Sequence, residues 1–147
     1  MAKLKRIARF LVGQTRRVWI FDWQLRPCAL KVFVDADVAG CQRTRKSIVG
    51  GAEMLGKHTV KTWSSSQGAF ALSSAEAELY AMIEGVTRAK GLLSLARDLG
   101  FKDVSNVVRL GTDSSAAKSF VSRRGLGKMG HLEIRDLWLQ KEIATES

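Results

Sequence analysis

Proline is nearly absent from this chain, with Pro27 the single instance in 147 residues. Together with 46% hydrophobic residues, this excludes a disordered or collagen-like chain. Cysteine is scarce too. Cys28 and Cys41 form no CxxC pair and no disulfide framework, which points to a reduced, intracellular setting, cytoplasmic or nuclear. His58 and His131 are the only histidines, one in an expected turn and one opening an expected helix, and neither position assigns them chemistry. No apolar run approaches the roughly 20 residues of a membrane span, so no membrane partner is expected. Acids are the minority, 14 Asp+Glu against 24 Lys+Arg. The start, MAKLKRIARFLVGQTRR, has none. It is basic and amphipathic, as a mitochondrial targeting peptide is, and that location stays open.

What is present is one domain of ordinary size, 1–147, able to bury a core, with 1–17 as a basic helical extension. The formal charge of +10 favours a polyanionic partner, most often nucleic acid. Leu4, Ile7, Ala8 and Leu11 make one stripe of a helix over 3–12, with Lys5, Arg6 and Arg9 mostly elsewhere. Alternation predicts strands at 18–23, with Trp19, Phe21 and Trp23 on one side, and at 29–35. Two more are expected at 47–55 and 58–64 around a Gly56-Lys57 turn, with Gly50 and Gly51 suggesting a bulge. The longest helix is expected over 74–99, with Leu79, Ile83, Val86 and Leu93 on one stripe and Gly100 as its stop. A strand at 104–112 and helices at 114–122 and 131–143 complete the list, and their order implies a mixed sheet flanked by helices.

Three short acidic stretches stand out in so basic a chain: VFVDADVAG, LSSAEAELYAM and LGTDSSAAKSF. Each sets a carboxylate at the edge of an element: Asp35 ending a strand, Glu78 in a helix's first turns, Asp113 between strand and helix. Taken singly, Asp35 suits a turn and Asp113 suits a helix N-cap. Ser73-Ser74-Ala75-Glu76 reads as a capping box, which gives Glu76 a structural task and leaves Glu78 without one. Carboxylates gathered from three elements repel one another unless a hard cation lies between them. A divalent metal that cleaves a phosphodiester needs such a set. The three are expected about 4–6 Å apart, with pKa values raised by mutual repulsion.

The runs VDADVAGCQRTRKSIVGG, VKTWSSSQGAFALSSAEAELYAMIEGVTRA, RLGTDSSAAKSF and HLEIRDLWLQ, in that order, resemble the ribonuclease H domain of copia-type retrotransposon polyproteins. The likeness runs from about residue 3 to 143 and includes the KRIARFLVG helix upstream. It implies an α/β, ribonuclease H-like mixed sheet flanked by helices, and Mg²⁺- or Mn²⁺-dependent cleavage of the RNA strand of RNA–DNA hybrids. The family's catalytic, metal-binding carboxylates fall on Asp35, Glu78 and Asp113. Val38 stands where the family usually has tryptophan, and Asp136 where it has an aromatic residue. Relatives continue into a further strand and a helix bearing a fourth aspartate. The chain ends at Ser147, so the sheet is expected to lack that strand and helix and to leave 104–112 as an edge.

Two functions are therefore open. One is a metal-dependent ribonuclease H. The other is a retroelement-derived basic protein that binds structured RNA within a larger protein–RNA assembly, such as a mitochondrial ribosome, where charge persists and chemistry does not. Arg123, Arg124 and Lys128 in the loop SRRGLGKMG, with Lys5, Arg6 and Arg9, are candidate phosphate contacts; a solvated basic loop is the competing reading of the former three. Trp63 either stacks on nucleic acid or fills the core.

Overall fold

A computed structural model of the chain describes residues 2–14, 16, 18–25, 27, 29–101 and 107–122. The expected alternation of Leu30, Val32 and Val34 with Lys31, Phe33 and Asp35 produces β1 (Leu30–Asp37), its apolar set buried and the others exposed. Two strands follow, β2 (Ile48–Leu55) and β3 (His58–Ser66), joined by a tight turn. Gly56 occupies that turn at φ 63, a left-handed conformation glycine adopts without penalty. A long helix, α2 (Ser74–Asp98), comes next, then β4 (Val108–Gly111) and α3 (Ser115–Val121). At the start lies α1 (Ala2–Val12).

The protein is thus a mixed α/β fold with a four-stranded sheet in the order β3-β2-β1-β4. β1 runs antiparallel to β2 and parallel to β4, and β2 runs antiparallel to β3. The ends of β1, β3 and β4 and the start of β2 therefore share one end of the sheet. β4 is an edge strand among the described residues.

The core forms where α2 crosses β1. Leu79, Met82, Val86 and Leu93 are buried against Leu30, Val32, Val34 and Val49. Each such side chain removed from water contributes about 1.5–3 kcal/mol. Between them, Ala77, Ala81, Gly85 and Ala89 recur every fourth residue on one face of the helix. A Cβ on Gly85 would lie 2.6 Å from Val34 Cγ1 and 3.2 Å from Val32 Cγ1, so only glycine permits this approach. Gly91, on the same helix, has nothing within 4 Å of a Cβ position among the described residues. In urea unfolding, Gly85→Ala is expected to lower stability by about 1–2 kcal/mol, overpacking outweighing the gain in helix propensity. Gly91→Ala should raise it by about 1 kcal/mol. Equal stabilisation by both would contradict the packing described.

Three expectations are corrected. Residues 18–23 form no strand. Trp19 and Trp23 are 70% and 83% exposed, and no neighbouring strand pairs with the segment among the described residues. It lies instead beside the β2–β3 turn: Gln24 Nε2 donates to the Leu55 carbonyl at 3.0 Å, and Gln24 Oε1 accepts from the Lys57 amide at 2.8 Å. His58 Nε2 pairs with the Asp22 carbonyl at 2.7 Å, from the first residue of β3 rather than from a turn. Nor does β2 bulge at Gly50-Gly51; the register with β3 shifts between Glu53 and Met54, where Val60 of β3 is passed over. Gly51 makes room for the Trp63 ring, since a Cβ there would lie 2.1 Å from Trp63 Cζ2. Trp63 packs against the core, with the Arg88 guanidinium 5.1 Å above its ring, so packing is its role here. The expected helix over 131–143 lies outside the described residues.

Candidate metal centre

Asp35 is no turn residue. It is paired with Gly50 inside β1, which persists two residues further to Asp37. Asp37 is drawn into the next turn, where its carbonyl accepts from the Gly40 amide at 3.2 Å. A Cβ on Gly40 would stand 2.3 Å from Asp37 Oδ2, so glycine there leaves room for that carboxylate.

Asp113 is no helix cap. Ser114 Oγ accepts the Ala117 amide at 3.1 Å and takes the capping task for α3. The Ser114 amide in turn donates to Thr112 Oγ1 at 3.2 Å. Asp113 is left exposed and free of that duty.

The start of α2 separates its two glutamates. Ser73 Oγ accepts the Glu76 amide at 3.1 Å, as a capping box requires. The Glu76 carboxylate reaches back to the Leu72 amide at 2.7 Å, one residue before the cap, and accepts from Tyr80 Oη at 2.9 Å. Glu76 is thus structural. Glu78 is 8% exposed, on the part of α2 that meets the ends of β1 and β4. The Ala36 amide hydrogen-bonds its carboxylate, and Thr112 Oγ1 lies 3.5 Å from its Oε2.

Asp35, Glu78 and Asp113 each offer one oxygen within 4.8 Å of the other two. Oxygens that share one Ca²⁺ at about 2.3–2.6 Å are at most about 5 Å apart, and those that share one Mg²⁺ at about 2.0–2.1 Å at most about 4 Å. This spread suits the larger ion, and a Mg²⁺ would draw the carboxylates slightly closer. The cluster can hold a metal ion. Burial raises the Glu78 pKa above the usual carboxylate range, and repulsion from Asp35 and Asp113 adds to it. The Ala36 amide and Thr112 hydroxyl pull the other way. Desolvation, rather than the repulsion expected from the sequence, is the leading cause.

Lys5, Arg6 and Arg9 are exposed along α1, which is not one of the elements carrying the carboxylates. Arg123, Arg124 and Lys128 lie outside the described residues. Sequence reasoning missed the bracing. Thr112 orients Glu78 and Ser114 together. Ser47 accepts the Ala39 amide at 3.3 Å, and its carbonyl accepts the Gln67 amide at 2.8 Å. Gln67 Nε2 then donates to the Ala77 carbonyl at 2.7 Å, linking the β1–β2 loop to α2. Nothing in the sequence marks these positions: Ser47 follows Lys46, Gln67 follows Ser66 and Thr112 precedes Asp113, so each sits among polar neighbours although its side chain is buried. No helix among the described residues is long and apolar enough to cross a membrane. Against models of known protein families, curated proteins and solved structures, the chain finds no match.

Proposed function

We propose that this chain is a ribonuclease H-type endonuclease that cleaves the RNA strand of RNA–DNA hybrids with Mg²⁺ or Mn²⁺. The observation that carries the reading is the convergence of Asp35, Glu78 and Asp113 within 4.8 Å, from a strand, a helix and a strand-to-helix junction. All three lie in the motifs on which the resemblance to copia-type ribonuclease H domains rests. The mixed sheet, with β1 at its centre and β4 at its edge, supports a ribonuclease H-like fold.

When bound, the metal would supply Lewis acidity and an acidified water for phosphodiester hydrolysis. The protein's own contribution is to hold three carboxylates ready. Asp35 is fixed by the β1–β2 ladder, and Asp113 by the Thr112–Ser114 turn. The hydrogen bonds from Ala36 and Thr112 restrain Glu78 and favour its charged form. The +10 charge counters the repulsion between this acidic cluster and a polyanionic substrate.

The test uses purified chain, a hybrid labelled on its RNA strand, and Mg²⁺ or Mn²⁺. RNA in the hybrid should be cut, while the DNA strand stays whole. Absence of cutting under either metal, alongside tight and salt-sensitive RNA binding, would transfer the assignment to the RNA-binding scaffold.

A further inference from the structure

Two loops border the carboxylate cluster, and beyond bracing and capping nothing above assigns them a task. One joins β1 to β2 over 38–47; the other joins β3 to α2 over 67–73. Both lie at the end of the sheet where Asp35 and Asp113 emerge. The first loop is basic and without acids: VAGCQRTRKS, with Arg43 and Arg45 exposed. It is also built rather than slack. The Arg45 amide donates to the Cys41 carbonyl at 2.7 Å and the Cys41 amide to the Lys46 carbonyl at 3.1 Å. Those bonds hold Arg45 at φ 58, a conformation that costs a side-chain-bearing residue about 1–2 kcal/mol. A surface loop under no structural demand would relax or carry glycine there.

Lys46 turns out of this loop to meet the other. Its Nζ donates to the Gly68 carbonyl at 2.7 Å and stands 5.4 Å from the centre of the Phe70 ring. Phe70 is nevertheless 59% exposed, so it contributes little to the core. The result is a wet aromatic ring, steadied by one cation, with two further cations on the adjoining loop. Aromatic rings interleaved with cations are what unstacked nucleotides recognise: the ring takes the base, the cations take the phosphates. A base inside a duplex is already stacked on its neighbours. The ring therefore suits a nucleotide outside the paired region.

We infer that the rim formed by Arg43, Arg45 and Phe70 binds a single-stranded RNA flank leading into the hybrid, a base stacking on Phe70 and its phosphates meeting the two arginines. The inference rests on the nuclease reading for its direction, because it names which part of that substrate the rim takes.

Binding without cutting separates the two. Fluorescence anisotropy in EDTA compares a blunt RNA–DNA hybrid with the same hybrid carrying a short single-stranded RNA flank. Wild type should prefer the flanked form. Phe70→Ala should lose roughly ten-fold in affinity for the flanked hybrid and nothing for the blunt one. Phe70→Leu keeps an apolar side chain without the aromatic face and should behave alike, which removes misfolding as an explanation. Neutralising both arginines (R43Q, R45Q) should lower the salt slope of flanked binding by about 1–2. The inference is overturned if wild type does not bind, does not distinguish the two hybrids, or keeps its preference in both Phe70 variants. A flank preference that Phe70→Ala removes, in a chain that never cuts with Mg²⁺ or Mn²⁺, would sink the nuclease reading alone. Cutting with no flank preference would sink the rim alone.

Discussion

Asp113→Asn is expected to abolish both Mn²⁺ binding and hybrid cleavage while leaving the fold intact. Asparagine keeps the size and hydrogen bonding of the side chain but removes the charge that a hard cation requires. Loss of an outer partner of a metal ligand already costs about 10–100-fold in affinity or activity, and a ligand itself should cost more than about 100-fold. The structure makes this substitution unusually clean. Ser114, not Asp113, caps α3, so no helix terminus is lost. Asp113 is exposed, so no cavity opens. One of the negative charges acting on Glu78 also disappears, so the metal-free variant should be at least as stable as wild type. Titration calorimetry with Mn²⁺, a cleavage assay and a thermal melt read the three parts. A variant that still binds Mn²⁺ and cuts at the wild-type rate would remove Asp113 from the centre. A variant that unfolds would show that its role is structural.

The second large effect is expected far from the site. Glu53 is fully buried in β2, its Cα paired with Val32 on one side and Lys61 on the other. Among the described residues, neither of its carboxylate oxygens has a hydrogen-bond partner. Burial raises its pKa, and the positive charges of Lys61 and Arg88 offset part of that. A buried polar group left unpaired costs about 1–3 kcal/mol. Glu53→Met, similar in length and apolar, is expected to raise stability by about that amount at neutral pH. Urea unfolding measures it.

The same substitution should flatten the pH dependence. With its folded pKa above the ordinary 4.5, Glu53 keeps a proton in the native state that the unfolded chain has released. Stability is then highest below about 4.5 and falls as pH rises through the folded value. Glu78 shifts in the same direction, so part of the slope should survive in Glu53→Met. A destabilised variant, or one with an unchanged slope, would mean that Glu53 has a partner after all.

Much of this protein was legible in one dimension because the physics involved is local. Period-two alternation marked β1, and the run of helix formers after Ser73 marked α2 with its capping box. Three acidic motifs singled out Asp35, Glu78 and Asp113 before any distance was known. Local patterns, however, report what a segment can form, not what stands beside it. Residues 18–23 alternate as well as β1 does, yet a strand exists only where its backbone pairs, and among the described residues no strand pairs with this segment. The capacity of Asp113 to cap a helix was equally visible. That Ser114 does so instead depends on Thr112 holding its amide. The register shift between β2 and β3 beside Glu53 and the closeness of Gly85 to Val34 follow from how α2, β2 and β3 sit against β1. Sequence determined which carboxylates were available and which elements carried them. Their separation of under 4.8 Å, and the desolvation of Glu78 among them, were decided by packing. Distances between residues 35, 78 and 113 depend on contacts that no window of the chain contains.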